Sequence, residues 1–425
     1  MYIDVKKFIK KNIKLDFYSL SEKFEKEKSL NYNKWKEEGV FFTNEKTIRS
    51  ILKNLNIINK KNWETIKILE PSVWSGNFLP IIFEKFSQQK NMVDLYINDI
   101  DPISIDFIKE CINNKKIIIP NNFKLFFNVW DFFYTEYKNH FDYIIWNPPY
   151  WKIIDKNIKN IFENKKTNNM FSFFIEKAVK ISDNIAFIVP KWLLYVKQFD
   201  YNRKQLRGGI YNIIDYWKTA FNVNLETISF LWSKTNIQDK ILIESKIDNN
   251  YEIKQKRDYI FDKTLPIWLI YRNIEFDSVL NKIKLGQFNV FRDRQITNKM
   301  LNDNWKYRVL KGKNIWKNKI ININNYDSFI DNINNLQVSK FLNKNNILCL
   351  PNLTNNIRFS FLPKDTIVNW AVALIYKPWF EEIQKETIDF LNSDEYKSFF
   401  NIVKNKSKLS VNIDEQVWFF IWELK

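Results

Sequence analysis

The sequence predicts an α/β protein built on a doubly wound, mostly parallel sheet, followed by a second, mixed α+β domain. Three observations predict it. Short apolar runs of strand length alternate with helix-like segments between residues 66 and 190, the pattern of parallel strands joined by crossover helices. From about residue 210 the chain turns strand-rich, and beyond about 262 Asn and charge dominate. A chain of 425 residues also exceeds what one ordinary core supports, which favours two domains.

The elements follow in order. Residues 1–38 read as a charged, helical N-terminal extension. GVFFTNEKTIRSIL (Gly39–Leu52) supplies a turn, an extended Phe-Phe pair and a helix start at Thr43/Asn44. IKILE (Ile66–Glu70) is a short buried strand, followed by the loop PSVWSGNF and the helix-like LPIIFEKF. VDLYIND (Val93–Asp99) is a strand, and PISIDFIKECI (Pro102–Ile112) a helix that opens on proline. FKLFFN (Phe123–Asn128) and DYIIW (Asp142–Trp146) are further strands. MFSFFIEKAVKI (Met170–Ile181) has helical spacing, and NIAFIVP (Asn184–Pro190) returns to a strand. YNIIDYW, LETISFLW and KILIESKI continue the sheet. The polar stretch 246–264 is the linker candidate, which divides the chain into 1–262 and 263–425. INININNYDSFIDNINNLQ (Ile320–Gln337) is biased toward Asn and reads as a surface loop.

Composition excludes several functions. No apolar run approaches a membrane span, and MYIDVKKFIKKNIKLDF lacks the apolar core of a signal peptide. The chain reads as cytoplasmic. Cys111 and Cys349 are the only cysteines and His140 the only histidine. That leaves no disulfide framework and no Cys/His metal site, and it disfavours His-dependent catalysis. Lys plus Arg number 66 against 48 acids, a net charge of +18 and a pI near 9.4. Such an excess suits a polyanionic partner, because each neutralised phosphate releases counterions. AT-rich coding would inflate Lys and Asn as well, so charge leaves both readings open.

The strand ends carry the chemistry. In doubly wound sheets ligands bind beyond the carboxyl ends of the strands, and an acid after the second strand takes ribose hydroxyls. Here the first strand ends in Glu70, the second in Asp99 within NDIDP, the third reaches Asp131, and the fourth delivers Asn147-Pro148-Pro149-Tyr150. A lone NPPY after a strand is often only a turn. Its place at the last of four such strand ends gives it weight.

In this order the segments resemble the adenine-N6 DNA methyltransferases of bacterial restriction–modification systems, over residues 39 to about 235. GVFFT is similar to their N-terminal cofactor-binding element, EPSxxSGNF to their glycine-rich loop, and NPPY to their catalytic motif. The resemblance implies a Rossmann-like methyltransferase domain that uses S-adenosyl-L-methionine, and a target-recognition domain at 263–425. It implies cofactor contacts from Phe41, Phe42, Thr43, Glu70, Pro71, Ser72, Gly76, Asp99, Ile100, Asp131 and Phe132. It also implies duplex DNA as substrate, with a cognate restriction endonuclease as a possible partner. Tyr150 and Phe221 would be the walls of a pocket for a base flipped from the duplex. Arg292, Arg294, Lys311 and Lys313 lie in the tail, where phosphate contacts would position DNA.

The NPPY chemistry is direct. The lone pair of the adenine amine is delocalised into the ring, so two acceptors aimed at its hydrogens would redirect it toward a methyl group. The Asn147 oxygen and the Pro148 carbonyl can serve without a shifted pKa, and the prolines fix the backbone. A cytosine-N4, RNA or protein-glutamine methyltransferase on the same scaffold is the alternative, as is an inactive DNA-binding relic.

The sequence departs from the family at its tightest positions. Trp74 stands where small residues are usual, and Trp130, Trp146 and Trp217 where glycine is frequent. Only 6 glycines occur beside 16 tryptophans, whereas ordinary usage near 7% would give roughly 30 glycines. This suggests a gene that uses UGA for glycine, rendered with UGA as tryptophan. Genuine tryptophans in a decayed enzyme are the alternative.

Overall fold

Five parallel strands open the sheet of the first unit. They are β1 (Ile66–Glu70), β2 (Val93–Asp99), β3 (Phe123–Val129), β4 (Phe141–Trp146) and β5 (Ser182–Pro190). Then β6 (Ile210–Trp217), β7 (Thr227–Ser233), β8 (Lys240–Ser245) and β9 (Tyr251–Lys256) complete nine strands in the order 3-2-1-4-5-7-6-8-9. β7 runs antiparallel between β5 and β6. The computed structural model describes residues 3–31, 42–61, 63–150, 156–221, 224–235, 237–247, 251–303, 306–354, 356–407, 411–412, 418–421 and 423–424.

The central strands form where the sequence is richest in apolar residues. β4 is buried at every position and β5 at all but one, as expected of central strands covered on both faces. The helices are α1 (Val5–Lys11), α2 (Phe17–Asn31), α3 (Glu45–Lys53), α4 (Leu79–Phe86) and α5 (Pro102–Asn113). After them come α6 (Lys156–Ile161), α7 (Met170–Ile181) and α8 (Asp200–Leu206). Asn44 caps α3 by accepting from the Thr47 amide at 2.9 Å, and Asp101 caps α5 by accepting from Ile103 at 3.0 Å. Both caps satisfy donors that a helix start leaves open.

The chain divides into Met1–Arg257 and Asp258–Lys425. The stretch 246–264, expected as linker, contains β9 paired with β8. Its burial alternates from residue to residue, because Tyr-Glu-Ile-Lys-Gln-Lys presents one half-buried face and one charged face. A Lys-bearing edge strand of this kind resists further pairing. The N-terminal residues are likewise more than an extension. The Phe24 ring of α2 stacks on Phe107 of α5 at 3.9 Å, and Phe8 of α1 packs edge-on to Phe24 at 5.6 Å.

The second unit holds a four-stranded sheet that includes Asn289–Arg292, Ile347–Pro351 and Val372–Tyr376, and a three-stranded sheet centred on Tyr307–Leu310. Between residues 320 and 337, Ser328–Ile330 pairs with that central strand, and Ile330 and Ile333 are buried. The expected surface loop is thus in part core, because its isoleucines outweigh its asparagines once a partner strand is present. Among the described residues, no helix is long and apolar enough to cross a membrane.

Candidate active site

β1, β2 and β4 are neighbours in the sheet, so Glu70, Asp99 and Trp146 leave it at one edge. The loop after β1 is tied down on β2. Val73 donates its amide to the Asn98 carbonyl at 2.8 Å. The Trp74 amide and the Ser72 hydroxyl reach Asp99 Oδ2 at 2.8 and 3.2 Å, and the Asp101 amide reaches Asp99 Oδ1 at 2.9 Å. The Asn98 side chain donates to the carbonyls of Pro71 (2.9 Å) and Trp130 (3.0 Å). Gly76 closes the loop at φ +78°, and a Cβ there would come within 2.3 Å of Ile108 Cδ1. Only glycine suits that position.

A cavity opens beside this loop, lined in part by Thr43, Glu70, Ser72, Asn147, Pro148 and Pro149. Glu70 is 1% exposed and its Oε2 has no hydrogen-bond partner among the described residues. Burial pushes its carboxyl well above the usual range, and the nearby Asp99 carboxylate pushes the same way. An orphaned buried acid of this kind has a use when a cationic or N–H-bearing ligand arrives.

Asn147 is held at both ends of its amide. Its nitrogen donates to Thr43 Oγ1 at 2.9 Å, and its oxygen accepts from the Tyr150 hydroxyl at 2.6 Å. That hydroxyl also lies 3.0 Å from the Ile188 carbonyl of β5. Tyr150 is buried, with its ring centroid 6.2 Å from that of Phe221.

Other expected residues lie outside the cavity lining. Asp99 is buried beneath the loop, its Oδ2 engaged by the loop and its Oδ1 by the Asp101 amide, and Ile100 beside it is exposed. Asp131 accepts from the Phe133 amide at 2.8 Å. Phe132 is stacked on Phe174 of α7 at 4.7 Å, an aromatic core contact. Phe42 is half-buried next to Thr43, and Phe41 falls outside the described residues. In the second unit, the Lys311 and Lys313 ammonium groups gather over the Tyr326 ring at 4.1 and 5.4 Å. Arg292 contacts Asn352 at 3.4 Å, and Arg294 is exposed.

Sequence reasoning missed one wall of the site. Glu25 of α2 lines the cavity and accepts from the Ser75 hydroxyl, while Ser21 of the same helix bonds Asn77. Burial pushes the Glu25 carboxyl up to about 7. Lys28, one turn further on, is 3% exposed, ion-paired with Asp101 and bonded to Ser104 at 2.8 Å. The spacing Ser21, Glu25, Lys28 marks one helix face, which is the only signal the sequence offered.

The polar groups suit the nucleoside cofactor implied by the resemblance, but the volume does not. Trp74 and Trp146 also line the cavity, and the Trp146 indole donates to the Ser72 carbonyl at 2.6 Å. About 30 Å³ is left, room on the order of one or two waters against roughly 300 Å³ or more for a ligand pocket.

The Eco57I restriction-modification methylase family model matches residues 3–223, a little over half the chain and including α1 and α2. The chain is 30% identical over 207 residues to the Type II methyltransferase M.AccI of Acinetobacter calcoaceticus, covering 44% of this chain and 35% of that protein. The match thus spans about a third of the relative's length. The type IIG restriction endonuclease BpuSI aligns with a TM-score of 0.45 at 12% identity, over 89% of this chain and 57% of that one. A type I restriction-modification methyltransferase subunit from Streptococcus thermophilus gives 0.38 at 13% identity, over 49% and 48%. By the extent of the family match, this chain belongs to the Eco57I restriction-modification methylase family.

Proposed function

We propose that this chain is a site-specific DNA methyltransferase that moves a methyl group from S-adenosyl-L-methionine to adenine N6 in duplex DNA. The observation that carries the reading is the Asn147 amide, held by Thr43 on one side and Tyr150 on the other beyond the end of β4. The cofactor supplies an electrophilic methyl group, and family membership supports its use.

The chain's own residues handle the base. A carbonyl-type oxygen has two lone pairs, so Asn147 Oδ1 can take an amine hydrogen while the Tyr150 hydroxyl still donates to it. The Pro148 carbonyl is the second acceptor, and the proline ring keeps a competing N–H away. Preoriented acceptors stabilise the charge that develops on the amine without reorganising at the moment of reaction. Tyr150 and Phe221 supply aromatic surface for an extruded base. The basic residues of the second unit, Arg292, Arg294, Lys311 and Lys313, would meet the phosphates.

The test is to incubate duplex DNA and labelled S-adenosyl-L-methionine with the chain as written and with a form carrying glycine at 74 and 146. The DNA is then digested to nucleosides. Label in N6-methyladenine from either protein supports the reading. Label in N4-methylcytosine, in RNA or in protein contradicts it, and so does unlabelled DNA from both.

A further inference from the structure

The cavity does not admit the group its polar frame is built for, and the largest side chains that line it are two indoles, those of Trp74 and Trp146. We propose that residues 74, 146 and 217 of this protein are glycines. Its gene would be read with UGA as glycine, and the tryptophans would be UGA rendered under the standard code.

Backbone geometry carries the inference at two positions. Trp74 has φ 55° and Trp217 φ 52°, the left-handed region that favours glycine and makes a bulky residue an outlier. Most other non-glycine residues there, among the described residues, are Asn, Asp or Lys, and Asn and Asp tolerate it through short polar side chains. The Trp217 indole N–H is moreover buried without a hydrogen-bond partner among the described residues, where glycine would leave no such donor. At 74 the loop backbone must also lie close to whatever fills the cavity, and a side chain stands in the way.

Volume carries it at 146. Trp146 sits at the end of β4, 1% exposed, its ring 4.0 Å from Phe174 and its N–H on the loop carbonyl of Ser72. The two indoles line the same cavity as Glu70, Asn147 and Glu25, so glycine at both positions would enlarge it. The glycine deficit, 6 against 16 tryptophans, is the compositional trace of the same event.

The structure also limits the inference. Trp130 is half exposed and absent from the left-handed set, so nothing in its geometry calls for glycine. Trp379 has φ 57° but shares its turn with Phe380 at φ 58°, which recoding cannot touch, and is therefore not included.

The test is independent of methyl transfer. Codons 74, 146 and 217 of the gene should read TGA, and peptides from the protein purified from its own source should carry glycine there. TGG at 74 and 146, or tryptophan in those peptides, overturns the proposal. Calorimetry with S-adenosyl-L-methionine gives a second measurement on the full chain. The form with glycine at 74, 146 and 217 should bind, and the chain as written should show no measurable heat of binding. Equal affinity of the two would overturn the steric argument.

Discussion

At the scale of single residues, the proposed chemistry rests on how Asn147 is held. Replacing Tyr150 by Phe keeps the ring and removes the hydroxyl that donates to Asn147 Oδ1. A neutral hydrogen bond contributes about 0.5–1.5 kcal/mol, so the turnover rate should fall about two- to tenfold with DNA affinity little changed. Undiminished turnover would show that the hydroxyl does not orient the amide. Glu25 gives a pH prediction. A carboxyl raised to about 7 in the folded chain binds its proton more tightly there than when unfolded. The stability it lends is present at low pH and lost as pH climbs from the ordinary carboxylate range through about 7. Glu25→Gln does not titrate, so over that window the parent should lose melting temperature relative to the variant. Parallel melting curves across that range would contradict it. Asn147 and Glu70 were legible because a polar residue at the end of an apolar strand stands out. Glu25 was not, since in SEKFEKEK it is one charge among many and only the packing of α2 shows which acid faces inward.

At the scale of elements, α2 is a wall of the cavity latched by Lys28. A fully buried ion pair broken on one side costs about 3–5 kcal/mol. Asp101 keeps 24% of its side chain exposed, so Lys28→Ala should cost less, about 2–3 kcal/mol in denaturant titration. A loss below about 0.5 kcal/mol, the size of an ordinary surface substitution, would detach α2 from this role. The strands β1 to β5 were legible as short segments dense in Ile, Leu, Val and aromatic residues between helix-like segments, and α7 because its apolar spacing is helical. β9 and Ser328–Ile330 were not. β9 is rich in charge and Ser328–Ile330 is only three residues long, and each becomes a strand through a partner that local sequence does not reveal.

At the scale of the molecule, the excess of 18 positive charges suits a partner bound through phosphates. A chain ending at Arg257 should still melt cooperatively, because it contains the whole nine-stranded sheet. It should lose most of its salt-dependent affinity for duplex DNA, the slope against salt falling by about 0.9 for each phosphate contact removed. An unchanged slope would place the DNA contacts in the first unit. The composition changes near 262, whereas the two compact units meet at 257, directly after β9.

The central claim is that Asn147 activates an adenine amine, and its most direct measurement compares Asn147→Ala with its parent, both with glycine at 74 and 146. Each is mixed with duplex DNA and labelled S-adenosyl-L-methionine, and N6-methyladenine is followed in time. Label is expected in the parent and is lost in the variant, with cofactor affinity by calorimetry kept within a few-fold. Turnover of the variant within a few-fold of the parent would contradict it.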